Sequence, residues 1–92
     1  MGLLDGKSAI VTGGASPRGL GRAMARLFAE HGARVAILDL DLALSQSAAA
    51  DLPGDGHLGL QCDVTERAAC RDAAEAAEAA FGRIDVLVNN AG

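Results

Sequence analysis

The chain has no tyrosine and no tryptophan, a single lysine (Lys7), two prolines and two cysteines. Each scarcity excludes something. Without tyrosine there is no phenol to act as a general acid or base. With no basic run and a net charge of -4, the chain lacks an electrostatic footprint for nucleic acid or an anionic membrane surface. Cys62 and Cys70 have no His or Cys beside them. They suit neither a metal site nor a redox pair, and read as reduced thiols of a core or helix face in a cytoplasmic protein. No metal site is expected. No apolar run reaches the length of a membrane span, and Met1-Gly2-Leu3-Leu4-Asp5 has neither a charged lead nor an h-region, so secretion is not expected.

What is present is more specific. Half of the 92 residues are apolar, enough for the core of one small domain, and residues 1–92 are expected to form one, without internal boundary, repeat or low-complexity tract. Thr12-Gly13-Gly14-Ala15-Ser16-Pro17-Arg18-Gly19-Leu20-Gly21 stands between a short apolar run, Ala9-Ile10-Val11, and an amphipathic segment. In that segment Leu20, Ala23, Met24, Leu27 and Phe28 fall at helical spacing, with Arg22, Arg26 and Glu30 opposite. Strand, glycine-rich turn and helix in that order suit an anion such as a phosphate. Glycines let the backbone approach closely, and the helix start offers unpaired N–H groups and a positive dipole end. The next apolar run, Arg34 to Leu38, ends in Asp39. An acid about 20 residues after the glycine turn is placed to accept hydrogen bonds from a ribose diol. Asp39 could instead cap the following helix, but Asp41 can serve as that cap, and Asp39 is then assigned to the ribose.

A short helix from about Asp41 to Asp51 is expected to end at the breakers Leu52-Pro53-Gly54-Asp55-Gly56. A third strand, Leu58 to Cys62, leads to Asp63-Val64-Thr65, with Thr65 as N-cap of a long helix that Gly82 stops after Phe81. Cys70, Ala73, Ala74, Ala77 and Phe81 form its predicted buried stripe, and Arg71–Glu75 an i,i+4 pair on the wet side. A fourth strand, Ile84 to Val88, runs into Asn89-Asn90-Ala91-Gly92. The β-α-β-α-β-α-β order with continuous apolar strands predicts an α/β fold, a doubly wound parallel sheet covered on both faces, with right-handed crossovers.

Four points in order, the Thr12-Gly13…Gly19-Leu20-Gly21 turn, Asp39, Asp63-Val64 and Asn89-Asn90-Ala91-Gly92, resemble the short-chain dehydrogenase/reductase family. The likeness spans the whole chain. It implies a Rossmann-like sheet of strand order 3-2-1-4, truncated relative to the full family fold. It also implies a nicotinamide dinucleotide held by Gly13, Ser16, Arg18, Gly19, Leu20, Gly21, Asp39, Leu40, Asp63, Val64, Asn90, Ala91 and Gly92. In the family Asp63 and Val64 lie beside the adenine, Asn90 to Gly92 line the cofactor, and the Asn-Asn pair helps lock the sheet edge. One departure is the wider gap between Gly13 and Gly19, which makes Ser16-Pro17-Arg18 a lengthened loop, stiff and extended because of Pro17.

Arg18 resembles the basic position that some members use for the 2′-phosphate of NADP. Asp39 opposes it. A carboxylate about 4 Å from that phosphate repels each unit of charge by about 1 kcal/mol in water and about 4 kcal/mol at the screening of a protein surface, whereas the NAD ribose gives it two hydrogen bonds. NAD is therefore expected over NADP. The implied reaction is hydride transfer between nicotinamide and an alcohol or carbonyl carbon, with a Tyr as acid/base, a Lys that lowers its pKa and a Ser on the substrate oxygen. In the family those residues follow the Asn-Asn-Ala-Gly segment. Here Lys7 opens the first strand, and Ser8, Ser16, Ser45 and Ser47 belong to local structure, so no catalytic residue is assigned and the chain alone is expected to be inactive. His31 and His57 read as surface residues without a role.

The expected entity is the cofactor-binding half of a cytoplasmic oxidoreductase whose full-length form takes a small-molecule substrate and assembles as a homo-oligomer. A non-catalytic nucleotide-binding or regulatory module is the alternative. An S-adenosylmethionine-dependent methyltransferase is disfavoured by Thr12 and by the Asn89-to-Gly92 segment. Val86-Leu87-Val88 would be a bare apolar edge, open to aggregation or docking.

Overall fold

The computed structural model describes residues 2–13 and 19–90. Seven elements follow one another as β1 (Ser8–Thr12), α1 (Leu20–Glu30), β2 (Arg34–Asp39), α2 (Leu42–Ala50), β3 (Leu58–Gln61), α3 (Arg67–Phe81) and β4 (Val86–Asn89). The strands pair in parallel in the order β3-β2-β1-β4. The apolar runs divide by the two-residue period of a strand. Val11, Val35, Ile37 and Val88 face α1 and α2, while Ile10, Ala36, Leu38, Leu58 and Leu60 face α3. The chain thus winds outward along one face through α1 and α2, then returns across the other through α3. A reversal of direction together with a change of face keeps one crossover handedness.

The α1 stripe differs from the predicted one. Its buried residues are Gly21, Ala25 and Ala29, with Phe28 packed at the margin, whereas Leu20 is 68% and Leu27 50% exposed. Hydrophobicity picks out the large side chains, but a helix lying close on a sheet needs small ones beneath it. The same rotation brings Arg22 inward to pair with Asp51, 3.0 Å away at the end of α2, so Arg22 is not on the outer face. The other side of the sheet keeps its expected stripe, with Ala73, Ala77 and Phe81 buried and Cys70 and Ala74 half-buried. Arg71 and Glu75 are both exposed, and they form no ion pair with each other.

Helix α2 rests on β3 at one glycine. A Cβ at Gly59 would run into the backbone of Ser45 and Gln46. Ser45 is fully buried there, its hydroxyl without a hydrogen-bond partner among the described residues. Asp41 is the α2 cap, its Oδ1 accepting the Leu44 N–H at 3.1 Å. Gly82 ends α3 at φ +87°, a conformation that favours glycine. Thr65, by contrast, is not the α3 cap. Glu66 holds that position without a side-chain bond, because the Thr65 hydroxyl donates to Asp63 Oδ1 at 2.6 Å instead.

Candidate functional site

Winding in opposite directions from β1 leaves a crevice beyond the carboxyl ends of β1 and β4, where α/β sheets place their ligands. Gly13 turns the chain out of β1 at φ +68°, while its N–H still donates to the Leu38 carbonyl at 2.8 Å. Across the crevice the Asn90 N–H donates to Thr12 Oγ1 at 3.0 Å, and the Asn90 Nδ2 amide donates to the Gly13 carbonyl at 3.3 Å. The Thr12 hydroxyl has the Val88 carbonyl at 3.3 Å and Asn89 Oδ1 at 3.2 Å as acceptors. The Asn-Asn pair therefore ties the end of β4 to the end of β1, the locking role implied by the resemblance.

On the other flank, Thr12 pairs in register with Leu38, so Asp39 lies one residue beyond, beside Gly13. The Asp39 carbonyl accepts the Cys62 N–H at 2.8 Å, and Gln61 Nε2 donates to the Leu40 carbonyl at 3.0 Å. Both bonds fix the β2 and β3 tips together. Asp63 heads a tight turn in which Oδ1 accepts the Thr65 hydroxyl and, at 2.9 Å, the Thr65 N–H. Those two bonds, the hydroxyl first, hold its carboxyl below the usual range. Val64 is half-buried and packs on the α3 side of the core. Gly19 precedes α1 in extended geometry, φ −79° and ψ 154°, and contributes no side-chain cap. Gly21 is buried and Leu20 exposed. Ser16, Pro17 and Arg18, with Ala91 and Gly92, lie outside the described residues, as does the expected stiff loop.

Three features escaped the sequence reading. His57 is half-buried and structural: Nδ1 accepts the Val35 N–H at 3.0 Å, and Nε2 donates to the Pro53 carbonyl at 2.8 Å. It closes the Pro53-to-Gly56 breaker loop onto β2, and its place at the end of that loop was the available signal. Asp85 accepts the Ser8 N–H at 3.0 Å and pairs with Arg83 at 2.6 Å. The Ser8 N–H first, then Arg83 and the charge of Lys7, hold its carboxyl below the usual range against partial burial. Finally, Cys62 and Cys70 are free thiols, as expected, but they are not unconnected. The sulfurs are 3.5 Å apart, because the turn at residues 63–66 folds α3 back over the end of β3. Lys7 and Ser8 sit at the amino end of β1, the end of the sheet opposite the crevice.

Residues 7–92 match the family model of the short chain dehydrogenases. The chain belongs to that family. It is 53% identical over 98% of its length to an uncharacterized short-chain type dehydrogenase/reductase of Sinorhizobium fredii, and covers 37% of it. It is 50% identical over 97% of its length to D-threitol dehydrogenase of Mycolicibacterium smegmatis, covering 34%. Among solved structures, 3-ketoacyl-(acyl-carrier-protein) reductase from Brucella melitensis, complexed with NADH, superposes with TM-score 0.88 at 44% identity. That match takes in 97% of this chain and 36% of the reductase. Hydroxysteroid dehydrogenase from Escherichia coli gives 0.86 at 33% identity, over 97% of this chain and 38% of that one. The short-chain dehydrogenase sheet described here thus spans about a third of the length of the relatives it matches. Its fold is the Rossmann-like one, and no described helix is long and apolar enough to cross a membrane.

Proposed function

We propose that residues 1–92 are the NAD-binding part of an oxidoreductase that transfers hydride between nicotinamide and an alcohol or carbonyl substrate. One observation carries the reading: Asp39 ends β2 directly beside the Gly13 turn, at the crevice of a short-chain dehydrogenase sheet. The donor set fits a dinucleotide. Gly13 leaves β1 at a positive φ that favours glycine, α1 begins without a side-chain cap, and the acid stands one strand away. Gly13, Ser16, Arg18, Gly19, Leu20 and Gly21 would hold the diphosphate, Asp39 and Leu40 the adenosine ribose, and Asp63 and Val64 the adenine. Asn90, Ala91 and Gly92 would lead toward the nicotinamide, which supplies the hydride chemistry when bound.

The chain's own part is to bind and orient. No phenol is present to move a proton, and Lys7 lies at the wrong end of β1, so these residues alone bind without turnover. The acid, its lysine and the substrate pocket would belong to the longer enzyme. The NADH-bound reductase among the structural neighbours and the threitol dehydrogenase among the relatives support a nicotinamide cofactor and an alcohol or carbonyl substrate. A homo-oligomer in the cytoplasm, where the glutathione pool keeps thiols reduced, completes the proposal.

Calorimetric titration with NADH and NADPH, set beside a turnover assay, tests it. NADH should bind more tightly than NADPH. Tighter NADPH overturns the cofactor assignment, and an absence of binding by either overturns the site.

A further inference from the structure

Among the described residues, Cys62 and Cys70 are the reactive groups that the proposed binding role leaves unused. Cys62 follows β3 and is 2% exposed. Cys70 lies in the first turn of α3, half-buried, and reaches solvent through a groove of about 440 Å³ that it lines with Val64 and Ala74. The two thiols form a short relay. Cys62 donates to the Cys70 sulfur at 3.5 Å, and Cys70 donates to the Asp63 carbonyl at 3.7 Å. Burial first, then the contact with Cys70 and the charge of Asp63, push the Cys62 thiol up to about 11. It is a poor first target, so an oxidant meets Cys70.

We propose that Cys62 and Cys70 are an oxidisable dithiol, in which hydrogen peroxide converts Cys70 to the sulfenic acid and Cys62 resolves it to an intramolecular disulfide. In the first step the Cys70 sulfur attacks one peroxide oxygen, the O–O bond breaks, and water leaves. In the second the Cys62 sulfur attacks the Cys70 sulfur, the S–O bond breaks, and the departing hydroxide takes the Cys62 proton as a second water. The two sulfurs together give up two electrons, and one peroxide becomes two waters. The sulfurs must close from 3.5 Å to about 2.05 Å, a distance within reach of side-chain rotation and a small shift of the first turn of α3. The bridge removes the Cys70 bond to the Asp63 carbonyl and staples both ends of the 63–66 turn. That this turn borders the adenine rests on the proposed function; the thiol chemistry does not.

The test is to treat reduced protein with peroxide, block residual thiols by alkylation, and digest with trypsin. Cleavage after Arg67 parts the two cysteines, Cys62 in peptide 35–67 and Cys70 in peptide 68–71. The expected product is these two peptides joined, two hydrogens lighter than their sum, and separated again by dithiothreitol. A mixture of isotopically light and heavy protein should give no light–heavy pair. Amide exchange at Thr65 and Glu66 should slow by about tenfold in the bridged form. Cys70→Ser should abolish the link, and in Cys62→Ala peroxide should carry Cys70 on to the sulfinic acid. The proposal fails if both wild-type thiols remain alkylatable, if Cys70 is over-oxidised there without a link, or if light–heavy links predominate. Unchanged exchange at Thr65 and Glu66 overturns the staple, and an unreacted Cys70 in Cys62→Ala overturns its part as the entry thiol.

Discussion

At the residue scale, single side chains hold backbone groups that the sheet ladder leaves open. His57 is the clearest, since its ring accepts the Val35 N–H and closes the loop through the Pro53 carbonyl. His57→Ala strands a half-buried donor and should cost about 1–3 kcal/mol, read as a lower denaturant midpoint at unchanged m-value; an unaltered midpoint contradicts the bridge. Asp85 gives a pH prediction. Its folded pKa lies below its unfolded value, so the stability it lends is complete above roughly pH 4–5 and is lost as pH falls through the folded value. Midpoints measured across the acid limb should fall less steeply for Asp85→Asn than for wild type, and equal slopes would refute the assignment. Asp39 belongs to this scale through its proposed ligand. Asp39→Ala should weaken NADH by roughly ten- to a hundredfold, the worth of hydrogen bonds to a charged group, and narrow the preference over NADPH; calorimetry decides.

At the scale of elements, strands and helices were legible because two periodicities write them plainly, and each predicted element exists. The bounds shifted where local hydrogen bonding prevailed. Asp63 captured Thr65 and moved the α3 cap to Glu66, and β4 starts at Val86 and extends to Asn89. The face of α1 was misread because packing distance depends on small residues, and glycine and alanine carry little weight in a hydrophobic pattern. Gly59 follows the same logic on β3. Gly59→Ala places a methyl against the α2 backbone, which cannot yield as a side-chain tip does. It should destabilise by about 1–3 kcal/mol or more, and a melting temperature equal to wild type would refute the close approach. Within the crevice, the placement of Gly13, Asp39, Asn89 and Asn90 could be read from the sequence, because each ends or directly follows an apolar strand run. The thiol pair and the Asp85 anchor could not, since each depends on which residues the tertiary fold brings together, and of the His57 bridge only the place of that residue at the loop end was visible.

At the scale of the molecule, β4 is an edge strand whose Leu87 is 66% exposed, beside the groove against α3. An unpaired apolar edge invites pairing with another chain. The 92-residue chain alone should therefore self-associate, seen as a sedimentation coefficient that rises with concentration, and Leu87→Lys should shift it toward monomer. A monodisperse wild-type monomer with a cooperative melt contradicts this. The same strand is fastened at its two extremities, by Asp85 below and by the Thr12 contacts with Asn89 and Asn90 above. A slip of pairing would have to undo both clasps together, so β4 should come away whole or not at all. Because the upper clasp is also the rim of the crevice, departure of that strand would dismantle the proposed nucleotide shelf in the same event. Occupancy of the shelf and integrity of the sheet margin thus share one fate.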